Sequence, residues 1–328
     1  MSTDPRDRGH YGRARRVCAS AIVTLALLVG ASVEAVADPV AASAPRLGGY
    51  VQVRETVVRP TGLSASLNRA RLSGDGVLPQ HFSYRVLVEY ESGGAARTAA
   101  TVALRDAYIR WSLAPCAVNA GQFKTPFSRE YTSSITVIET ADRSTVVDTL
   151  APKRDVGIMV EFVKPLAGVW LGVFNGEGQN SVVNRDSTVL VVGRASVRPI
   201  SQITLAGSVA SYGPDSTRWG ADASLEQSGF VLRGEWLTQH KRDRARDDAG
   251  WFVLAGYRIV PWLQVIARQE DFQRPGIGVT RRISATTGGL NIDLPGGRTR
   301  GIIDFVSRQA GFPRVRTNSL VAQLQVKF

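Results

Sequence analysis

The sequence has little of what most enzyme sites are built from. Its only histidines are His10, His81 and His240, and its only cysteines are Cys18 and Cys116. Histidines placed this far apart form no recognisable Ser-His-Asp arrangement or metal-ligand motif. The sequence also lacks a phosphate-binding glycine-rich helix start and a G-x-S-x-G nucleophile elbow. We therefore expect no enzymatic activity, no cofactor and no metal site.

Long apolar runs are also missing. The longest uncharged, mostly apolar run covers residues 17–30, which is shorter than the roughly 20 residues of a membrane-spanning helix. Five arginines precede it, and Ala35-Val36-Ala37 after it forms an A-x-A cleavage site. This order predicts a cleaved secretory signal peptide over residues 1–37 and an exported product over residues 38–328. The cleavage point has no cysteine, so we expect no lipid anchor.

Acidic residues are in the minority. The chain has 28 Asp and Glu against 40 Lys and Arg, a formal net charge of +12. On an exported protein this surplus suggests nucleic acid, lipopolysaccharide phosphates or anions drawn through a pore as partners. Export argues against nucleic acid, and the basic residues are not clustered with stacking aromatics. A disulfide framework is excluded too, because loss of the leader with Cys18 leaves Cys116 alone.

The sequence is rich in short segments that alternate between apolar and polar residues. Because successive side chains of a strand point to opposite faces, each segment predicts a two-faced strand. About sixteen segments occur without a linker between them, which predicts one all-β domain with an even strand number, as bacterial single-chain barrels require. The predicted strands cover residues 47–57, 64–75, 81–92, 101–113, 116–124, 154–164, 166–175, 187–199, 201–212, 217–227, 229–239, 250–259, 261–271, 281–294, 299–308 and 318–328.

Connections between the predicted strands alternate in length. Short turns such as 114–115 and 199–200 follow even-numbered strands, whereas longer polar loops such as 175–186 follow most odd-numbered ones. This alternation is typical of a transmembrane antiparallel β-barrel in the bacterial outer membrane. The longest connection, residues 125–153, is the third outward loop, and its length indicates a functional element. We expect it to fold into the lumen; if it stays outside, its charges form a solvated surface.

The polar face of the predicted strands is rich in arginine. Pores favour anions through rings of Arg or Lys side chains. Any single arginine is explained equally simply as one partner of an arginine–carboxylate pair on the wall of a water-filled lumen. The collective excess predicts a lumen that prefers anions. The candidate inward-facing arginines are Arg54, Arg69, Arg71, Arg85, Arg110, Arg194, Arg233, Arg268, Arg300 and Arg308, balanced in part by Glu89, Asp106, Glu161, Glu235, Glu270 and Asp304.

Aromatic residues fall mostly near the ends of the predicted strands. Membrane barrels place interfacial girdles of aromatic side chains at these positions. The chain ends on Phe328, which alternation places on the outward face of the last strand. The candidate girdle residues are Tyr50, Phe82, Tyr90, Trp111, Trp170, Tyr212, Trp236, Trp251, Tyr257, Trp262 and Phe328.

Four motifs in the first half of the chain resemble those of the phosphate-selective porin family, porins O and P. Their order and spacing also match, over about residues 65–180, while the second half is matched mainly by strand rhythm and the terminal Phe328. The motifs are Leu67-Asn68-Arg69-Ala70-Arg71-Leu72, Ala103-Leu104-Arg105-Asp106-Ala107-Tyr108, Gly121-Gln122-Phe123-Lys124-Thr125-Pro126-Phe127 and Gly172-Val173-Phe174-Asn175-Gly176-Glu177-Gly178.

The resemblance implies a trimeric barrel of sixteen strands, with the third loop folded into the lumen and an arginine-lined path to a lysine-containing constriction. In this sequence Arg69 and Arg71 are similar to the basic pair of the second strand, and Lys124 to the lysine of the G-Q-F-K motif. The implied partners are small anions such as phosphate, outer-membrane lipids and lipopolysaccharide, other copies in a homotrimer, and assembly machinery that reads Phe328. The candidate anion pathway comprises Arg69, Arg71, Arg85, Lys124, Arg129, Arg194, Arg233 and Arg268.

Three functions remain open from the sequence. The first is passive diffusion of small solutes with a preference for anions, phosphate or other oxyanions among them. The second is a non-conducting outer-membrane barrel, plugged by the long loop, that acts as a scaffold or adhesin. The third is a soluble exported β protein that stays in the periplasm without detergent.

Overall fold

The computed structural model describes residues 43–91, 101–244, 246–276 and 279–328. The predicted signal peptide, residues 1–37, lies outside these residues. The strands are β1 (Arg46–Arg59), β2 (Gly62–Leu78), β3 (Phe82–Glu91), β4 (Thr101–Leu113), β5 (Cys116–Lys124), β6 (Arg154–Lys164), β7 (Ala167–Phe174), β8 (Leu190–Ile200), β9 (Ile203–Tyr212), β10 (Ser216–Gln227), β11 (Phe230–Lys241), β12 (Asp248–Val260), β13 (Leu263–Pro275), β14 (Thr280–Asp293), β15 (Thr299–Ala310) and β16 (Val315–Lys327). The prediction of sixteen strands is confirmed, and β4, β5 and β6 have the predicted bounds.

Neighbouring strands pair antiparallel in chain order, and β1 also pairs with β16, so the sheet closes into a barrel. At this seam Tyr50 lies opposite Lys327, and Arg59 lies opposite Asn318. Closure leaves no sheet edge with unpaired backbone groups, a requirement for any sheet in a bilayer. The predicted antiparallel barrel is confirmed.

The two faces of the strands differ as alternation predicts. An apolar exterior around a largely polar interior suits a barrel surrounded by lipid. Exposed apolar side chains on the outer face include Val53, Ile109, Ile158, Leu171, Trp219, Trp251 and Phe305. Polar side chains buried in the interior include Gln52, Glu89, Asn119, Asn291 and Gln325.

The connection between β5 and β6, residues 125–153, is called the third loop below. It contains two short helices, α1 (Arg129–Thr132) and α2 (Thr145–Leu150). Each begins after a serine whose side chain accepts a backbone hydrogen bond, Ser128 from Tyr131 N and Ser144 from Val147 N. Neither helix in the described part of the chain is long and apolar enough to cross a membrane.

The third loop folds into the lumen, as predicted. Its apolar side chains pack on wall residues that are themselves apolar and face inward. Packing of this kind removes apolar area from water and stabilises the loop inside the lumen. The resulting apolar cluster contains Phe127, Tyr131, Val146, Val147, Leu150 and Ala151 of the loop, with Phe174, Leu190, Val192, Leu237, Phe252, Leu254 and Phe272 of the wall.

Three aromatic residues expected at the membrane interface lie inside the barrel, so that part of the girdle prediction is wrong. Tyr50 is 8% exposed and clusters with Ile135 and Ile138 of the third loop. Trp170 and Tyr212 pack against the apolar cluster beneath the same loop. Position near a strand end does not reveal which face a side chain occupies, and the third loop offers these rings an apolar surface inside.

The chain terminus closes the seam. β16 ends at Lys327, one residue earlier than predicted, but Phe328 still exchanges two backbone hydrogen bonds of 3.0 Å with Gly49. The Phe328 side chain is 61% exposed. A Cβ atom on Gly49 would lie 2.7 Å from Phe328 Cζ, so the ring lies across this glycine on the outer face.

Candidate functional site

The third loop is docked on one side of the lumen wall. Side chains from β8 to β16 donate hydrogen bonds to its carbonyl groups or accept them from its N–H groups, which satisfies backbone groups that would otherwise be buried unpaired. The donors include Arg194 to Phe127 O (2.7 Å), Arg218 to Leu150 O (2.7 Å), Arg268 to Asp142 O (2.9 Å) and Asn291 to Glu139 O (2.8 Å). The acceptors include Glu270 from Thr145 N (3.1 Å) and Asp304 from Ala141 N (2.8 Å).

The opposite wall, β2 to β5, stays accessible. The side chains of Arg85 and Arg110 are 35% and 36% exposed, whereas those of Arg194 and Arg268 on the covered side are 9% and 6% exposed. Water therefore reaches the wall of β2 to β5 next to Arg85 and Arg110.

Three arginines of the accessible wall share one carboxylate. Glu89 on β3 has a fully buried side chain; its oxygens lie 3.6 Å from Arg69 Nε and 3.2 Å from Arg105 Nη2, and accept a hydrogen bond from Arg71 Nε. The Arg71 guanidinium also lies over the Tyr50 ring, 5.5 Å from its centroid. The strands β2 to β5 contain six basic residues and four acidic ones, so this wall carries a net positive formal charge.

A β-bulge in β2 brings one polar residue more into this wall. The register between β1 and β2 moves from Gln52–Arg69 to Val53–Leu67, which makes Asn68 the extra residue. A bulge allows consecutive residues to share a face. Asn68 Nδ2 accordingly donates to Gln52 Oε1 at 3.3 Å while the adjacent Arg69 faces Glu89.

A second bulge, in β4, explains the position of Arg105. The register between β3 and β4 moves from Leu87–Asp106 to Val88–Leu104, so Arg105 is the extra residue. Strict alternation would place Arg105 on the lipid side, next to the inward Asp106. The bulge turns both into the lumen.

Lys124 and Arg143 extend the positive surface onto the third loop. Lys124 Nζ, at the end of β5, donates to Thr132 O (3.0 Å) and Ser133 O (2.7 Å), and Arg143 donates to Glu130 O and Ser133 O at 3.2 and 3.3 Å. Both cations lie over the Tyr131 ring, 5.7 and 5.3 Å from its centroid. Within the described ranges neither forms an ion pair with a carboxylate.

We call these residues the constriction cluster: Arg69, Arg71 and Arg105 around Glu89, together with Lys124 and Arg143 over Tyr131. They come from β2, β3, β4, β5 and the third loop. Guanidinium and ammonium groups offer several N–H donors each, and oxyanions accept several hydrogen bonds at once. The cluster can therefore attract and partly desolvate a passing anion.

Two titratable groups of the third loop hold their charge firmly. Desolvation within the lumen works against the charged form of Asp142, but the Arg54 guanidinium, 2.9 Å away, outweighs it and lowers the pKa of Asp142 below the ordinary aspartate value. Burial lowers the pKa of Arg143. Because the ordinary pKa of arginine lies far above neutral pH, Arg143 remains protonated at any physiological pH.

The structure brings together only some of the residues in the predicted anion pathway. Arg69, Arg71 and Lys124 belong to the constriction cluster. Arg85 faces the same lumen and bonds Asp75 at 2.6 Å.

The other four predicted pathway residues contact or lie beneath the third loop. Arg194 pairs with Asp222 at 2.6 Å, Arg233 with Glu139 of the loop at 2.7 Å, and Arg268 donates to Thr140 at 2.7 Å. Arg129 is part of α1 and lies 3.9 Å from Glu226. The contacts of these arginines stabilise the position of the third loop, so an inward-facing arginine can have a structural role here.

Two members of the cluster were missing from the predicted pathway. Arg143 was recognised only as one of many loop charges, because nothing in the loop sequence shows which side faces the lumen. Arg105 is absent from the predicted pathway because strict alternation beside the inward-facing Asp106 would point it outward. The sequence does contain a signal for this bulge: two charged residues, Arg105 and Asp106, are adjacent in a motif whose other residues alternate between the two faces.

Comparisons with known proteins agree with this architecture. Residues 50–217 match the family model described as phosphate-selective porin O and P. No curated protein matches the chain.

Several solved structures share the fold. An outer-membrane protein, OmpT of Vibrio cholerae in its trimer form, has a TM-score of 0.66 and 8% identity, covering 88% of this chain and 100% of its own. The outer-membrane channel DcaP of Acinetobacter baumannii has a TM-score of 0.66 and 12% identity, covering 88% of this chain and 98% of its own. A triple mutant of the Rhodopseudomonas blastica porin has a TM-score of 0.58 and 15% identity, covering 87% and 100%. At these identities the likeness is one of fold.

Proposed function

We propose that this chain, which belongs to the phosphate-selective porin O and P family, lets small anions diffuse in preference to cations. As a member of that family it is an outer-membrane channel for small solutes. The observation that carries the anion preference is the constriction cluster, in which Arg69, Arg71 and Arg105 surround the carboxylate of Glu89, while Lys124 and Arg143 lie over the Tyr131 ring.

The cluster would act without covalent chemistry. An anion entering between the third loop and β2–β5 loses part of its hydration shell, and the N–H groups of the cluster replace those contacts. Cations meet unbalanced positive charge at the same place. Because Glu89 already occupies part of the donor capacity of three arginines, anions are held weakly enough to leave again, as conduction requires.

Selectivity is tested by the reversal potential of single channels in planar bilayers under a KCl gradient. We expect anion preference for the native protein and a fall of the anion-to-cation permeability ratio by about twofold or more for Arg69→Gln. Arg69 is the best residue to change because its ion pair with Glu89 is the longest of the three, at 3.6 Å. Arg298→Gln, an exposed arginine of a periplasmic turn, is the matched control. Cation preference of the native channel would overturn the proposal.

Phosphate or a related oxyanion is the solute we favour, because several converging N–H donors suit an oxyanion better than a halide. Phosphate added to chloride solutions should lower chloride conductance, and Lys124→Gln should weaken that inhibition. Lys153→Gln is the control, since Lys153 lies 5.4 Å from the same Tyr131 ring but is paired with Asp148. Unchanged chloride conductance with phosphate present would restrict the function to unspecific anion diffusion.

A non-conducting barrel is the alternative function. The close packing of the third loop against β8 to β16 favours it, since a well-anchored loop can plug a lumen. The same bilayer recordings separate the two, because a plugged barrel gives no conductance steps.

The surroundings of the channel are also part of the proposal. We infer export through a cleaved signal peptide over residues 1–37, assembly as a homotrimer, and contact with outer-membrane lipids and lipopolysaccharide. The trimer form of the V. cholerae protein supports the oligomer. Crosslinking in intact outer membranes would reveal the number of copies.

A further inference from the structure

A second outward loop also reaches the constriction cluster. Residues 175–189, between β7 and β8, are called the fourth loop. Its Gln179 Oε1 accepts a hydrogen bond of 2.8 Å from Arg105 Nη1. The next residue, Asn180, is joined to Gln122 twice: Asn180 N donates to Gln122 Oε1 at 2.6 Å, and Gln122 Nε2 donates to Asn180 Oδ1 at 3.1 Å.

The base of the fourth loop is built to hold this tip. Asp155 on β6 accepts hydrogen bonds from Gly176 N and Val156 N, both 2.7 Å. Asn184 Nδ2 donates to Asn175 O and to Thr188 O, both at 2.9 Å, which ties the two ends of the loop together. These hydrogen bonds fix the base of the fourth loop and do not involve the residues at its tip.

Gln122 gives the tip a rigid support. It is 5% exposed and also donates to the carbonyl groups of Leu104 and Arg105, at 2.9 and 3.1 Å. One side chain thus fixes both the bulge that turns Arg105 inward and the loop residue next to Gln179. Arg105 is held between Gln179 on one side and Glu89, at 3.2 Å, on the other.

We propose that the fourth loop is a selectivity element of the channel, in which Gln179 is a positioning residue for Arg105. The proposal rests on the proposed anion preference. A neutral amide directs the guanidinium without cancelling its charge, whereas a carboxylate at the same place would pair with it. The identity of residue 179 thereby sets how much of the Arg105 charge an entering anion meets.

The first test is Gln179→Glu, measured as the reversal potential in a KCl gradient. A glutamate can accept the same bond from Arg105 but adds a negative charge, so we expect the anion-to-cation permeability ratio to fall by about threefold or more. Val182→Glu is the matched control, because it places the same charge in the same loop on a residue that is 97% exposed. An equal fall in both variants would overturn the proposal.

The second test locates the loop without relying on selectivity. In a Cys116→Ser background, channels carrying Gln179→Cys are treated with a sulfonate-bearing methanethiosulfonate reagent, and Val182→Cys serves as the control. We expect modification to reduce the conductance of Gln179→Cys channels at least about twofold and to leave Val182→Cys channels unchanged. Equal effects at both positions, or none at either, would contradict the loop placement. If the native pore prefers cations, the proposed function fails. The loss of conductance after modification of Gln179→Cys would still show that the fourth loop reaches the lumen.

Discussion

Single residues show how closely the strands of the accessible wall approach each other. Gly121, which opens the G-Q-F-K motif of β5, has a φ of +129°, and a Cβ atom there would lie 2.3 Å from Ala107 O and 2.8 Å from Tyr108 Cα. No side chain fits without moving the β4 backbone. The glycine therefore lets β4 and β5 pair closely at Tyr108 and Gly121, next to the parts of these strands that carry Arg105 and Lys124.

Gly121→Ala should destabilise the barrel. A strained backbone of this kind costs about 1–3 kcal/mol, so the free energy of unfolding should fall by that amount in urea titrations of the protein in lipid vesicles. Gly288→Ala is the control, because its Cβ would have no neighbour within 4 Å and its φ is not positive. Equal stabilities of the two variants would refute this role of Gly121.

The faces of individual side chains were predictable where the pleat is regular and not where it is interrupted. Arg69 and Arg71 were placed in the lumen by alternation, because they lie on the same side of the β2 bulge. Arg105 was missed because one extra residue reverses the alternation. Tyr50 was misplaced because its ring packs against a loop far away in sequence.

The third loop acts as one unit whose position depends on charged contacts. Its Asp142 carboxylate bonds both terminal nitrogens of Arg54 on β1 at 2.9 Å. The pKa of Asp142 lies below the ordinary aspartate value because, despite burial, Arg54 favours the charged form. Docking of the loop is thus coupled to ionisation of this group, and the docked state favours the proton-free carboxylate.

Acid should loosen the third loop. Because the docked state lowers the pKa, the stabilisation is complete above the ordinary value of about 3.9 and is lost as pH falls below it. Open-channel current noise should therefore rise as the pH is lowered from about 5 to about 3. Asp142→Asn should show the raised noise already at neutral pH.

Asp148→Asn is the control for this effect. Asp148 belongs to the same loop, and its one ion pair among the described residues is with the exposed Lys153. Noise that rises equally in native, Asp142→Asn and Asp148→Asn channels would show that another group titrates.

The length and the ends of the third loop followed from the sequence, but its docking site did not. Strand periodicity ends at Lys124 and resumes at Arg154, which located the loop to the residue. The partners that hold it are distant in the chain: Ala141 and Asp304 are 163 positions apart. A single sequence carries no periodic signal for such pairs.

The barrel as a whole depends on closing its first strand against its last. The seam between β1 and β16 continues to the terminus, where Phe328 exchanges backbone hydrogen bonds with Gly49 and leaves its ring on the outer surface. At this position the exposed Phe328 ring would be accessible to the assembly machinery before the barrel closes.

Phe328→Ala should reduce the amount of protein in the outer membrane severalfold, measured by quantitative immunoblotting of membrane fractions. Refolding of the purified variant in detergent should remain nearly normal, since the two backbone bonds to Gly49 do not need the ring. Phe312→Ala, at a loop residue that is 77% exposed, is the control. Equal losses in the membrane and in detergent would make the effect one of stability instead.

Fold and strand number were the most predictable properties, because a barrel repeats one local rule along its whole length. Apart from bulges such as those in β2 and β4, the strands follow the same two-residue period, and the turns alternate with the loops. What this rule cannot supply is the content of the lumen, since the third and fourth loops reach it through contacts specific to this chain.

The β4 bulge at Arg105 has a consequence for insertions and deletions. Removing one residue from a regular strand turns all residues beyond it inside out, exchanging lipid-facing for water-facing side chains. Removing Arg105 would instead restore simple pairing, with Leu104 still facing lipid and Asp106 still facing the lumen. The Arg105 codon can thus be lost without reversing the faces of the neighbouring residues, and its loss lowers the formal charge of the passage by one unit.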